Sequence, residues 1–270
     1  VLQEQNSVPG RANRFLARFA SEVHIHFAEA RRHFKDRGKL RLSGNPVRIR
    51  MSEGHALRTL HRLRLYPGRS TVVILGGSQG AHSLNKAFLD MLPHFRSDRG
   101  VQFVIQTGKE DYKDVLEAVR TSGVRVVARP FYNHIEDIYG VAHLVVARAG
   151  AMTLSEIAVC GLPSILVPYP HAMDDHQTVN ARTLADKGAA VLLPDRELTG
   201  ERLSVLQLAE ALGNVSRHSA SKEAWVRLRG SAGQSFPSAH TATAVGFAAA
   251  LTWRSVRVER AWMPGGKVYN

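Results

Sequence analysis

A single cysteine, Cys160, in 270 residues leaves nothing for an internal disulfide, which suits a reducing compartment and makes the thiol a small buried apolar group. No signal-peptide pattern opens the chain. The longest mostly apolar run, Ala242 to Trp253, falls short of the roughly 20 residues that span a bilayer, so the chain reads as soluble or peripheral. Aromatic residues make up only 7%, with no aromatic-interleaved basic stripe and no zinc-finger spacing, which argues against a nucleic-acid partner. Neither G-x-G-x-x-G nor a Walker pattern occurs, so dinucleotide and P-loop readings lose ground. His171 and His176 lack partners at metal-ligand spacing, and no metal or other cofactor is expected.

Acidic residues are also scarce, and unevenly so. The net charge is +13, yet residues 1 to 70 hold 15 Lys/Arg against 5 Asp/Glu, residues 71 to 215 hold 13 against 16, and residues 216 to 270 hold 8 against 2. The middle is slightly acidic while both ends are basic. Such ends are solvated faces or surfaces for phosphate-rich partners, of which anionic lipid is favoured here over nucleic acid, with Arg11, Arg14 and Arg18 as candidate contacts.

With 44% hydrophobic and 22% charged residues, a sizeable core is possible. From Thr71 onward strand and helix signals alternate, as in a doubly wound parallel sheet. Strands are expected at Thr71 to Leu75, Val101 to Ile105, Val124 to Ala128, His143 to Ala147, Ser164 to Val167 and Ala190 to Leu193, with helices between them and at Gly200 to Leu212. Ligands of such sheets sit beyond the carboxyl ends of the strands. Two turns there have the composition to receive an anion. Residues 76–81, GGSQGA, join a strand to a helix, and Arg148-Ala149-Gly150-Ala151 lead into a helix expected to begin near Thr153. Thr153 and Glu156 have capping-box spacing, and Asp174 and Asp175 stand where they could cap a helix from His176.

Upstream, Ala12, Phe15, Leu16 and Phe19 recur at helical spacing, with their packing partner missing or rearranged. Val23, Ile25 and Phe27 alternate with His24 and His26 as in a half-buried strand, and Leu40 to Ser43 reads as another. A basic helical segment, His55 to Leu65, and the linker signal Tyr66-Pro67-Gly68 follow. The expected division is residues 1–50, a remnant of an N-terminal domain; 51–70, a linker; 71–213, a Rossmann-like domain; and 214–270, a divergent tail.

The string AGAMTLSE (149–156), with GLPSILVPYPHAMDDHQTVNA after it, is similar to the donor-binding signature of the MurG family; GGSQGA, EQNSVPG and GNPVR follow the same pattern, over roughly Leu2 to Leu212. The resemblance implies a GT-B fold and an inverting glycosyltransferase. That enzyme moves N-acetylglucosamine from its uridine diphosphate carrier to a lipid-linked muramyl-pentapeptide, in peptidoglycan and cell-wall biogenesis, at the cytoplasmic face of the bacterial inner membrane. It further implies a donor site of Asn6, Arg48, Ser78, Tyr132, Ala151, Met152, Thr153, Leu154, Ser155, Glu156 and Gln177, with Ser78 on the diphosphate, Tyr132 against uracil, Glu156 on the ribose and Gln177 on the sugar. The residue-level alternatives stay open: a turn cap for Asn6, a surface charge for Arg48, a helix cap for Glu156. The family's FI-D-D is replaced by Phe131-Tyr132-Asn133-His134, without the flanking acids. The family's general base is attributed to N-terminal loops upstream of Val1, so no catalytic residue is named and the chain as given is expected not to turn over. An epimerase or hydrolase of the same fold, or a donor-binding fragment, are the alternatives.

In the tail, Lys222 and Arg229 at K-x6-R spacing and Ser235 to His240 resemble the start of a PAP2-type phosphatase. That family's remaining motif is not found before Asn270, so no phosphatase chemistry is expected.

Overall fold

The computed structural model describes residues 1–47, 56–98 and 100–204. The phosphatase-like tail, Arg48 and most of the expected helix at 200–212 lie outside the described residues; Gly200 to Leu203 form turns rather than a helix start.

Two parallel sheets organise the chain. The smaller, in the order β1-β2-β3, is built from Leu2–Glu4 (β1), Val23–Ile25 (β2) and Leu40–Leu42 (β3). Its first strand is too short to leave a periodic signal, and the sequence did not announce it. Helix α1 (Arg11–Leu16) joins β1 to β2 and buries none of its side chains. Phe15 and Phe19 are 55% and 75% exposed, as the unmatched apolar spacing anticipates. Phe27 is not part of β2. It leaves the strand and enters the core of the larger unit, beside Leu60 and Leu65, so the two units share apolar surface.

The larger sheet runs β6-β5-β4-β7-β8-β9 through Val126–Arg129, Val101–Gln106, Ser70–Leu75, Leu144–Ala147, Ser164–Leu166 and Ala190–Leu192. Every pair is parallel. The observed strands match the expected ones within two residues at each end. From β4 the chain steps outward to β5 and β6, then returns to lay β7 against the other side of β4. Right-handed crossovers running in opposite directions must place their helices on opposite faces. Helices α3 (His82–Met91) and α4 (Tyr112–Ser122) cover one face with Leu84, Phe88 and Val115. The other is covered by α2 (Ala56–Arg62), α5 (Ile135–Val141), α6 (Ala151–Cys160) and α7 (His176–Ala185), through Leu60, Ile138, Leu154 and Leu184. Along β4, Val72 and Ile74 meet the first group while Val73 and Leu75 meet the second, the period-2 alternation of a strand buried on both faces.

Between β4 and α3 the Gly-rich loop is pressed against the loop after β5. A Cβ on Gly80 would stand 2.3 Å from the Thr107 carbonyl oxygen, and Gly80 has φ +84°. Gly68 has a similar φ of +87° but open space around it. Gly80→Ala should therefore cost about 2–5 kcal/mol, strain plus collision, and Gly68→Ala only about 1–3 kcal/mol, strain alone. Urea unfolding of the two variants checks the difference.

Candidate functional site

The strand-order reversal between β4 and β7 leaves a crevice at their carboxyl ends, and the Gly-rich loop and the starts of α6 and α7 follow from the strands on either side of it. Ser78 is exposed on the loop after β4. Gln106, at the end of β5, braces that loop: its Nε2 donates to the Gly77 carbonyl at 2.9 Å while its Oε1 accepts from the Tyr132 N–H at 3.0 Å. One buried amide thus sets the spacing between the Gly-rich loop and the expected base contact. Tyr132 itself turns inward, its hydroxyl donating to the Val127 carbonyl at 3.3 Å and its pKa raised by burial. The exposed ring at this position is Phe131, at 50%.

Helix α6 starts at Ala151, two residues before the expected start, with Gly150 as N-cap and no side-chain cap bond. The Thr153–Glu156 capping box is not formed, because Thr153 lies inside the first turn rather than at the N-cap; Glu156 instead accepts from the Tyr139 hydroxyl, 3.0 Å from its Oε2. Ala151 and Leu154 are core residues, and Met152, Thr153 and Glu156 are half-buried. Ser155 is 3% exposed and faces the small sheet rather than the crevice. Its hydroxyl donates to the Ala151 carbonyl at 2.8 Å and lies 2.9 Å from Asn45 Nδ2 and 3.2 Å from His26 Nε2.

Helix α7 starts at His176 as expected. Asp174 and Asp175 hold left-handed backbone, φ 52° and 50°, a costly conformation for residues with a Cβ. Asp175 makes no backbone cap bond; its carboxylate accepts from Thr178 Oγ1 at 2.6 Å. Gln177 turns back over the loop after β8, its Oε1 accepting from the Tyr169 N–H at 3.0 Å.

The N-terminal piece is brought to this crevice by Asn180, one turn beyond Gln177 and fully buried. Its Oδ1 accepts from the Ser7 N–H at 2.9 Å and the Ser7 hydroxyl at 2.6 Å, and its Nδ2 donates to Asn6 Oδ1 at 3.1 Å. Glu4 shapes the loop from its other side, accepting from the N–H groups of Asn6 and Gly10 at 2.8 and 3.2 Å. Asn6 therefore joins the residues of α6 and α7, whereas Tyr132 stands beyond β5.

Arg148 belongs to a turn otherwise made of small residues, and its side chain locks the crevice floor. The guanidinium donates to the Pro168 carbonyl at 3.1 Å, to Ser83 Oγ at 2.7 Å and to Asp195 at 2.5 Å, tying the ends of β7 and β8 to the start of α3. Sequence reasoning named Arg148 only as part of its turn, without a role for the side chain, and passed over Asn180 and Gln106. Of these Asn180 carried a signal, three residues after Gln177 and hence on the same helical face.

His26, expected on the polar side of a strand, is instead desolvated, which lowers its pKa from 6.5 to about 4. The ring is neutral, with Nε2–H toward Ser155 and a buried Nδ1 that has no partner among the described residues. Above pH 6.5 neither folded nor unfolded chain protonates this group. Between pH 6.5 and about 4 the unfolded chain binds a proton that the folded chain does not, so stability falls with pH by up to roughly 1.4 kcal/mol per unit. Denaturation at pH 7 and 5 should show this loss, reduced in His26→Gln.

Three strands stepping outward, a reversal, and a return on the other side of β4 define a Rossmann-like α/β domain. The model of the glycosyltransferase family 28 C-terminal domain matches residues 71–235, and the chain belongs to this family. Curated relatives named UDP-N-acetylglucosamine–N-acetylmuramyl-(pentapeptide) pyrophosphoryl-undecaprenol N-acetylglucosamine transferase include that of Desulforamulus reducens, 35% identical, with 81% of this chain and 62% of the relative aligned. That of Halothermothrix orenii is 39% identical, with 79% and 59% aligned. The chain thus spans about three-fifths of the length of these relatives. Among solved structures it is similar to MurG of Acinetobacter baumannii, with TM-score 0.58, 26% identity, and 85% of this chain and 66% of that one covered. The calicheamicin glycosyltransferase CalG4, at 16% identity and TM-score 0.54 over 89% of this chain and 60% of that one, shares the fold. The GT-B type of fold expected from the sequence stands.

Proposed function

We propose that this chain is the donor-binding part of an inverting glycosyltransferase that moves N-acetylglucosamine from uridine diphosphate N-acetylglucosamine to a lipid-linked muramyl-pentapeptide. The observation that carries this reading is the convergence of the Gly-rich loop, the start of α6 and the first turn of α7 on one crevice, with Asn6 joined to it through Asn180. Ser78 and the N–H groups of its loop and of the α6 start receive the diphosphate, where a helix N-terminus favours negative charge. Met152 and Thr153 line that start, Glu156 accepts from the ribose hydroxyls, and the Gln177 amide reads the sugar. Phe131 and Tyr132 flank the uracil, Tyr132 through its backbone and ring edge.

In the transfer an acceptor hydroxyl oxygen bonds to the anomeric carbon from the face opposite the diphosphate. The carbon–oxygen bond to the diphosphate breaks, the electron pair leaves with uridine diphosphate, and a general base takes the hydroxyl proton. The donor half of that event is what the crevice serves: the leaving diphosphate gains negative charge next to donors already fixed in place. Calorimetry should show binding of the uridine diphosphate sugar well above its adenosine and guanosine counterparts. Glu156→Ala should weaken it by about 1–3 kcal/mol, roughly 5- to 150-fold, while equal affinity for all three nucleotides would overturn the proposed base pocket.

For the membrane, the support lies on α1 and the turn that follows it. Phe15 and Phe19 are exposed side by side, with ring centroids 5.7 Å apart, and the Arg18 guanidinium lies over the Phe15 ring at 5.5 Å. Arg14 is drawn away to Asp174, 3.0 Å distant, which leaves Arg11 and Arg18 for lipid phosphates. No helix of the described residues is long and apolar enough to cross a bilayer. Attachment of this kind, by about 1 kcal/mol per basic residue plus two rings, is reversible and salt-sensitive. Sedimentation with anionic vesicles should fall at high salt and in Arg11→Gln/Arg18→Gln, and equal binding to zwitterionic vesicles would remove the electrostatic part.

A further inference from the structure

Tyr139 is 1% exposed on α5, in the layer packed against α6, and a buried phenol needs a hydrogen-bond partner. Its partner is Glu156 Oε2, at 3.0 Å. The choice of partner is informative. Tyr132, the other largely buried tyrosine of this region, satisfies its hydroxyl with a neutral backbone carbonyl, that of Val127. A carboxylate is a costlier partner, because any burial of its charge must be offset by further donors. Glu156 is half-buried rather than buried, so part of its carboxylate faces solvent. A carboxylate offers about four acceptor positions, and the phenol takes one of them.

The geometry also says what the phenol does. Glu156 has three side-chain torsions, and accepting from a hydroxyl on a rigid core ring restricts the rotamers open to it. Burial and the neighbouring carboxylate push the Tyr139 pKa well above its usual value, so the phenol remains a donor throughout the physiological range.

We propose that Tyr139 is a positioning residue for nucleoside recognition: it holds the Glu156 carboxylate in the orientation that accepts a ribose diol. The proposal rests on the assignment of Glu156 to the ribose. It predicts that Tyr139, which is too buried to meet any ligand, controls discrimination between a ribonucleotide and its deoxy analogue.

The test is a calorimetric comparison of uridine diphosphate with 2′-deoxyuridine diphosphate on the full chain. The unaltered protein should prefer the ribonucleotide about tenfold, the worth of one good hydrogen bond to a charged group. Tyr139→Phe, which keeps ring and volume, should cut that preference at least threefold and leave affinity for the deoxy analogue within twofold. In a Glu156→Ala background the same substitution should change neither affinity further, since residues acting through one another are not additive. An unchanged preference in Tyr139→Phe, or an equal loss in both backgrounds, overturns the positioning role while leaving the uridine diphosphate reading intact. No preference in the unaltered protein overturns the ribose assignment as well. A second readout needs no substitution: in tyrosine-labelled protein, the Tyr139 ring resonance should shift more with uridine diphosphate than with the deoxy analogue, and equal shifts count against the proposal.

Discussion

Because β5 is laid on one side of β4 and β7 on the other, no crossover helix can cover the carboxyl ends of β4 and β7 together. That gap is imposed by chain handedness, before any side chain is chosen. What the sequence adds is a way of lining it. On the β5 side Gln106 fixes the Gly-rich loop, and on the β8 side Arg148 fixes the chain that leads to Gln177. The Arg148–Asp195 pair is largely buried, and such pairs seldom add much stability over apolar packing. Its value here is geometric: one planar group with fixed directions binds three segments that would otherwise move independently.

The attachment of the small sheet follows the same logic with neutral groups. Its core is slight, with Val23, Ile25, Phe34 and Leu40 as its main members, too little to hold a fixed orientation alone. Phe27 supplies an apolar anchor in the larger core, and two buried amides supply direction: Asn180 of α7 grips the loop bearing Asn6, and Asn45 reaches Ser155 of α6. Both bonds end in the second turn of helices that start at the crevice. A displacement of the small sheet would therefore be felt at the ligand, which makes these polar contacts a coupling between the two pieces as well as a bond.

The large fold was legible because its strands are buried on both faces and so read as short apolar runs between helix signals, with Gly161 and Pro163 as clear punctuation. The small sheet was less so: strands of three residues are shorter than one reliable period. Local rules failed where long-range partners overrode them. Thr153 and Glu156 have the spacing of a capping box, yet the helix begins at Ala151 with Gly150 as N-cap, and Glu156 pairs with the phenol of Tyr139, 17 positions upstream. His26 has the alternation of a solvent-facing residue, yet α6 covers it. Ser155 came in with the ligand-binding string and proves to face the other way, because in a ten-residue helix only part of the circumference can line a crevice.

The same helical geometry sorts the string AGAMTLSE into separate tasks. Ala151, Leu154 and Ser155 turn to the core and to the small sheet, so a substitution there acts by moving the helix. Met152, Thr153 and Glu156 stay half-buried on the side that meets the crevice, and their substitution acts on whatever is bound. Of the three, Glu156 alone carries a charge, and it accepts a hydrogen bond from Tyr139 of another helix. A helix start attracts anions of any shape, which gives affinity without choice. In the proposed reading the oriented carboxylate, which accepts hydrogen bonds and repels anions, supplies the choice: it would reward a hydroxyl pair at one position and penalise a misplaced phosphate. Binding strength and binding specificity would then belong to different ends of the first two turns of one helix.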